Sequence, residues 1–324
     1  NYCESGETPV LDADYIGCYN DDDLDFLEDV INNSTGSNKP DANLAPWKLG
    51  HQIWENRRLK SFCCSSMDLS TFPQLEGGLA SCETECPYVF STAIPSSIGN
   101  LSLLDTLALV GMDFEGTIPE VLSSLVDLKV LLLTGNADLT GSLPVNIGNI
   151  QGLKHISFKN NDLTGSMPSS FWNLTNLISI DLSNNRFSDA LSNTLDYSDF
   201  SFLKWFDIED NNFHGLIPDN ICDLSYVNVS TYADNFEFDG NLFCPPFPVC
   251  MNTSNSAQNV ALVSYYEDAN LNGFGNPDVV CAEQYCEDYP PTGGDCTGYV
   301  SDNSDQSDAC PNNELRDECG ECGG

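Results

Sequence analysis

The sequence predicts an α/β-type repeat solenoid. A parallel β-sheet forms one face, short 3-10 or irregular return legs lie behind it, and the coils sit between a disulfide-rich N-terminal cap and a cysteine-rich C-terminal tail. Three observations predict it. One motif, Leu-x-x-Leu-x-x-Leu-x-Leu-x-x-Asn-x-Phe/Leu-x-Gly-x-Ile-Pro, recurs six times, with starts at Leu101, Leu125, Ile150, Leu174, Phe200 and Leu224 spaced 24 to 26 residues apart. A fixed period in this range marks units too small to bury their own apolar face, which stack on their neighbours instead. Second, Leu107-Ala-Leu109, Leu131-Leu-Leu133, Ile156-Ser-Phe158, Ile180-Asp-Leu182 and Phe206-Asp-Ile208 alternate inward apolar with outward residues, the period of a half-buried strand. Third, an asparagine follows each strand, at Asn136, Asn161, Asn185, Asn211 and Asn235. An amide both donates and accepts, so a buried row of Asn satisfies backbone groups where each coil turns.

The rest of each unit follows from turn chemistry. Gly116, Gly141, Gly165 and Gly215 fall where the chain must bend, and Ile118-Pro119, Leu143-Pro144, Met167-Pro168 and Ile217-Pro218 open a return leg too short for a full helix. Leu139-Thr-Gly-Ser-Leu-Pro144 and Leu163-Thr-Gly-Ser-Met-Pro168 resemble the hallmark of the leucine-rich repeat family, in the subtype common in plant extracellular proteins. The resemblance covers about 150 residues and implies a solenoid that recognises other proteins. One unit departs from it: Phe187-Ser-Asp-Ala-Leu-Ser192 lacks both Gly and Pro and is two residues longer, so a bulge or a change of curvature is expected there.

Four segments result: a cap with a degenerate first repeat (1–100), six repeats (101–235), a C-terminal cap (236–250) and an acidic tail (251–324). In the first, Asn20 to Ile31 reads as a short helix with acids crowding its first turn and Leu24, Leu27 and Ile31 along one side. A second helix is expected over Trp47 to Lys60, with Leu49, Ile53 and Trp54 on one face. Arg57, Arg58 and Lys60 are the main basic cluster, and ion pairing with the cap's own acids is favoured over a binding patch. Phe90 to Asn100 reads as the tail of the degenerate repeat, so stacking begins before Leu101.

The formal charge of −38, from 49 acids against 11 bases, leaves no electrostatic basis for binding nucleic acid or anionic membrane surfaces. It suits cations, basic partners or high salt, or simply solubility. No run approaches the ~18 apolar residues of a membrane span. The chain begins at Asn1 rather than Met and reads as a processed, secreted or cell-surface product. Fifteen cysteines and six glycosylation sequons (Asn32, Asn33, Asn100, Asn173, Asn228 and Asn252) point to the same oxidising compartment and to N-linked glycans. Asn100 and Asn173 hold equivalent places in their repeats, so glycans there decorate one edge.

Cys3, Cys18, Cys63, Cys64, Cys82 and Cys86 make an even set in the cap, with pairing open. Asn241 to Cys250 resembles the C-terminal cap of plant-type repeats, which implies that Cys244 pairs with Cys250 and leaves Cys222 odd. The tail holds its own six: Cys281, Cys286, Cys296, Cys310, Cys319 and Cys322.

The tail carries 14 acids and one base. Val260 to Tyr266 reads as a strand, followed by oxygen side chains at Asp268, Asn270 and Asn272 and then Gly273. That spacing is the front half of a calcium loop, with the Phe274 carbonyl as a further ligand, and the alternative is an Asx-rich turn without metal. It resembles calcium-loop modules of secreted proteins, with thrombospondin type-3 repeats more distant. Cys319-x-x-Cys322 lacks the second pair that a zinc site needs. The closing Cys-Gly-x-Cys-Gly-Gly pattern usually recurs, so the sequence reads as a fragment.

Outward strand positions are read as Thr106, Ala108, Val130, Leu132, His155, Ser157, Lys159, Ser179, Asp181, Trp205, Asp207, Glu209, Thr231 and Asp234. Early repeats present small or apolar groups, later ones carboxylates around an aromatic. Trp205, beside Asp181, Asp207 and Glu209 and near His155 and Lys159, is the candidate contact patch, the alternative being ordinary solvated strand residues. A catalytic role is not expected. The three histidines lie in separate elements, no nucleophile motif is present, and a glycosidase pair of Asp181 and Asp207 is rejected because an open sheet face has no means of raising a carboxyl pKa. The expected function is a non-enzymatic extracellular glycoprotein that assembles with protein partners, copies of itself included, into a surface coat, matrix or filament through its tail. A ligand-binding ectodomain or secreted inhibitor is the competing class.

Overall fold

The computed structural model describes residues 3–11, 16–66, 69, 86–224, 236–244, 248 and 250, together with four two-residue strand segments of the tail. β1 (Glu7–Leu11) and β2 (Ile16–Asn20) pair antiparallel, and α1 (Asp21–Asn33) follows directly. Asn20 caps this helix by accepting the Asp23 N–H at 3.3 Å, and Asp21, Asp22 and Asp23 fill the first turn, where the helix dipole favours them. The expected stripe of Leu24, Leu27 and Ile31 is buried, joined by Phe26 and Val30.

The expected second helix is absent. A single 3-10 turn, Pro46–Lys48, is followed by β3 (His51–Glu55) and β4 (Arg58–Ser65), an antiparallel hairpin. Asn56 and Arg57, at φ 49° and 67°, make its two-residue turn, which supplies the left-handed geometry that matches strand twist. The spacing of Leu49, Ile53 and Trp54 imitated a helical stripe. Parallel pairing of β4 onto the first repeat decides the outcome, since it extends the sheet and buries Leu59, Phe62 and Cys64.

The coils then alternate a first and a second strand. These are β5 (Thr106–Val110) and β6 (Glu115–Thr117), β7 (Val130–Leu132) and β8 (Asp138–Gly141), β9 (His155–Ser157) and β10 (Asp162–Gly165), and β11 (Ser179–Asp181) and β12 (Arg186–Phe187). β13 (Trp205–Asp207) and β14 (His214–Leu216), then β15 (Phe236–Glu237) and β16 (Leu242–Cys244), complete the series. First strands from β5 onwards stack in parallel register, so the main sheet runs β3-β4-β5-β7-β9-β11-β13-β15. Second strands form a smaller sheet, β6-β8-β10-β12, and a separate pair, β14-β16. Return legs are 3-10 turns such as Glu120–Ser124 and Ser169–Asn173. One apolar core runs unbroken from Phe26 to Phe243.

The asparagine row works as expected for its first four members. Asn185 donates to the carbonyls of Phe158 (2.8 Å) and Leu182 (3.0 Å) and accepts the Leu163 N–H (3.1 Å), tying its own coil to the preceding one. The last member is Asn241, not Asn235, which lies outside the described residues with Thr231 and Asp234. Asn241 donates to Ile208 and Phe238 and accepts from Phe213 N–H. The motif Phe236-x-Phe238-x-x-Asn241 is therefore the sixth strand, six residues later than the period places it, and the solenoid extends past residue 235.

Cys3–Cys18 and Cys64–Cys86 are bridged, and Cys63 is also bridged. Cys82, like Cys281, Cys296, Cys310, Cys319 and Cys322, lies outside the described residues. The cap bridge is Cys222–Cys250, with 28 residues of separation. This corrects the expected Cys244–Cys250 pair: Cys222 is not the odd thiol, because its return leg lies beside the chain leaving β16. In the tail, β17 (Leu262–Val263) pairs with β19 (Tyr285–Cys286), and β18 (Tyr266–Glu267) with β20 (Tyr299–Val300). The strand expected over Val260 to Tyr266 thus divides into two short pieces, each paired within the tail. No helix among the described residues is long and apolar enough to cross a membrane.

Candidate functional site

The basic cluster of the cap belongs to the fold. Arg58 holds Asp23 through two bonds of 2.7 Å, and Leu59 N–H donates to the same fully buried carboxylate at 2.8 Å. The Asp23 hydrogen bond raises the Arg58 pKa further. Arg57 binds Glu7 at 2.8 and 2.9 Å, and Lys60 lies 4.0 Å from Asp105. Arg57 and Arg58 are spent on the cap's own acids, and Lys60 faces an acid of the first repeat.

The sheet face divides in two. Ala108, Val130 and Leu132, expected to point outward, are buried in an apolar cluster with Cys63, Val110 and Leu69. Leu69 belongs to the segment after β4, so the chain's own cap covers this half of the face. No partner can reach the early repeats there.

From β9 onwards the face is polar. Parallel register sets Ser157, Asp181, Asp207 and Glu237 side by side on successive strands, about 4.8 Å apart. Asp181 is fully buried, and its Oδ1 accepts from both the N–H and the hydroxyl of Ser183. Asp207 is also buried and accepts the Glu209 N–H at 3.1 Å. Lys159 Nζ sits 3.8 Å from Asp207 and 4.0 Å from Glu209. His155 Nδ1 lies 2.9 Å from the Ser179 hydroxyl. Trp205 is half-buried, and its indole N–H is enclosed without a hydrogen-bond partner among the described residues.

These environments shift both acids. Burial raises the Asp181 pKa, with Ser183 and then Lys159 acting against it. Asp207 is pushed up to about 7, chiefly by burial and then by the adjacent Asp181, while Glu209 N–H and Lys159 act to lower it. The premise that a sheet face cannot perturb a carboxyl is therefore wrong, because close-set neighbouring strands desolvate it. The buried pair still offers a sugar no approach, since both carboxyls are closed off from solvent.

The expected patch of six is thus corrected. Asp181 and Asp207 form a buried layer, while His155, Lys159, Trp205 and Glu209 are the partly exposed members above it. Sequence reasoning missed Glu237 and Asp239, which continue the two columns on β15 and beyond it; the signal was the Phe236-x-Phe238-x-x-Asn241 alternation. Sequon residues Asn32, Asn33, Asn100 and Asn173 are exposed. Asn228, Asn252 and the expected calcium ligands Asp268, Asn270, Asn272 and Phe274 lie outside the described residues, as does the side chain of Cys286.

A profile of the Leucine Rich Repeat family matches residues 152–174, 176–197 and 202–224. The ectodomain of the Arabidopsis thaliana receptor kinase GASSHO1/SCHENGEN3, solved in complex with CASPARIAN STRIP INTEGRITY FACTOR 2, is 30% identical over 47% of this chain and 17% of its own, at a TM-score of 0.42. The Arabidopsis thaliana BIR2 ectodomain is 27% identical over 44% of this chain and 70% of its own, at 0.37. A chain of the Arabidopsis thaliana BIR3–SERK2 complex is matched at 29% identity over 45% of this chain and 73% of its own, at 0.37. Against the first matched receptors the chain spans only about a sixth to a third of their length. No curated protein sequence matches significantly. The fold is a leucine-rich-repeat solenoid, similar to plant receptor ectodomains, and its bridged cysteines fit an oxidising, extracellular setting.

Proposed function

We propose that the chain is an extracellular recognition subunit whose solenoid binds a protein partner through the face of repeats three to five. One observation carries this reading. The chain covers its own early sheet face with apolar groups, and leaves His155, Lys159, Trp205 and Glu209 partly open over a buried acidic layer. An amphipathic aromatic among a few placed charges is the composition of interface centres. The hydroxyl set against His155, that of Ser179, is buried, and the reading is of binding rather than catalysis.

In the finer proposal the subunit assembles with copies of itself into a coat, matrix or filament. The first end of the sheet is closed by β3 and β4 and the far end is tied by Cys222–Cys250, so bare coils are not presented for stacking. The tail after Cys250 is then the part that reaches a neighbour, with calcium at Asp268, Asn270, Asn272 and the Phe274 carbonyl setting its shape and N-linked glycans marking the sequon edge. Pairing of β17 with β19 and of β18 with β20 directs this contact to the tail's surface rather than to a donated strand. The native mass tests the proposal. A polymer lost on deleting residues 251–324 supports assembly, whereas a truncated protein that still polymerises defeats the tail's role. A monodisperse monomer favours a ligand-binding ectodomain or secreted inhibitor. Calorimetry with millimolar calcium tests the loop, and an absence of binding heat removes it.

A further inference from the structure

The unit without the Gly-Pro hallmark builds a cavity. In four other coils a glycine at φ 74° to 83° turns the chain and a proline precedes the 3-10 leg, as at Gly165 and Pro168. Here Asp189 and Ser192 hold those places. Asp189 does not adopt positive φ; its carboxylate accepts the N–H groups of Ala190 (2.8 Å) and Met167 (3.2 Å) instead. The chain therefore runs on, and the 3-10 turn is delayed to Tyr197–Asp199. Asn220 of the next coil clamps the extra loop, its Nδ2 donating to Leu195 O at 2.7 Å and reaching Asn193 O at 3.5 Å.

Three consequences converge on one place. Pairing between these coils on the second-strand side ends at the single bridge Ala190↔His214, so β14 is laddered only to β16 and its other edge is open at Leu216. Between Leu191–Asn193 and Leu216–Asn220 lies a cavity of about 770 Å³, within the size range of ligand sites. With Asn220 Nδ2 committed to the loop, Asn220 Oδ1 is enclosed without a donor among the described residues. None of the lining residues belongs to the main sheet, so this site is distinct from the face proposed above.

We infer that this cavity is a second recognition site, and that its occupant is an extended basic peptide segment of a protein partner. An extended segment pairs with the open edge of β14 through its main chain. Its alternate apolar side chains pack on Leu191, Ile217 and Pro218, while Leu216, 43% exposed, rims the opening. A Lys or Arg between them faces the exposed Asp219, in a lining that contains no Lys, Arg or His.

The test is fluorescence anisotropy of the full chain with an acetylated eight-residue peptide alternating Leu and Lys, against the same peptide with Glu for Lys. The Lys peptide binds and the Glu peptide does not. Ser192→Trp fills the cavity without altering charge and weakens binding at least tenfold, with the thermal midpoint confirming that the variant folds. Asp219→Lys, at an exposed position, inverts the preference toward the Glu peptide. If Ser192→Trp binds the Lys peptide as tightly as the parent, attraction to the acidic surface as a whole explains the binding and the inference is overturned. It is equally overturned if Asp219→Lys leaves the preference unchanged.

Discussion

The two halves of the main sheet are built on the same strand pattern yet do opposite work. At β5 and β7 the outward positions are Ala108, Val130 and Leu132, and Leu69 closes over them. At β9, β11 and β13 the same positions are His155, Ser157, Asp181, Trp205 and Asp207, and polar groups face one another along the sheet. Backbone geometry is common to both halves, so side-chain polarity alone decides whether a coil extends the core or offers a surface. An open polar face of limited extent results when one end of a solenoid is given to its own cap.

The largest effect should come from forcing the first half to resemble the second. Leu132 is 1% exposed among apolar groups, so Leu132→Asp buries a carboxylate with no partner. A loss of about 4–5 kcal/mol is expected, enough to unfold the cap end. The opposite exchange in the second half, Glu209→Leu at a partly exposed position, should shift stability by less than about 1 kcal/mol. Urea unfolding measures both. Comparable losses would mean that the two halves are not differently buried.

Much of this was legible beforehand because the repeat is a local code. Strand, asparagine and turn each follow from residues within one period, and the row from Asn136 to Asn211 was placed correctly. What failed depends on contacts far apart in sequence. The segment from Trp47 to Lys60 has helical spacing, but strand pairing with β5 overrides it. Outward positions on β5 and β7 looked exposed, because nothing local reveals that Leu69 lies over them. Burial of Asp181 and Asp207 also escaped notice, since a carboxylate in the alternating pattern reads as solvated until neighbouring strands close around it. The sixth asparagine was missed for a simpler reason: a fixed period was trusted over the alternation at Phe236 and Phe238.

A smaller effect concerns the buried acidic layer. Asp207 has a folded pKa of about 7, above that of an unfolded aspartate near ~3.9, so the folded state binds the additional proton between these values. Stability should therefore fall as pH rises from 4 to 7 and level off above. A three-unit shift sets a ceiling of roughly 4 kcal/mol. Lower pH also relieves the general repulsion of a chain carrying −38, so the informative quantity is the difference between parent and Asp207→Asn. That difference should favour the variant by about 1–3 kcal/mol at pH 8 and vanish near pH 4. A difference independent of pH would show that Asp207 titrates as an ordinary surface acid.

The smallest effect separates the two layers of the later face. Lys159 is the cation set against Asp207 at 3.8 Å and Glu209 at 4.0 Å, and its side chain is 31% exposed. Lys159→Met keeps the packing of the stem and removes the charge, at an expected cost of about 1 kcal/mol or less at pH 8. Lys159 acts to lower the Asp207 pKa, so its loss should raise that pKa and carry the pH-dependent step upward. At pH 5, where Asp207 holds its proton, the lysine keeps Glu209 and Asp181 to oppose but loses Asp207, and the deficit should shrink. If the deficit is equal at pH 5 and pH 8, the lysine does not couple to the buried layer. It would then belong wholly to the outer surface, and only partner binding would register its removal.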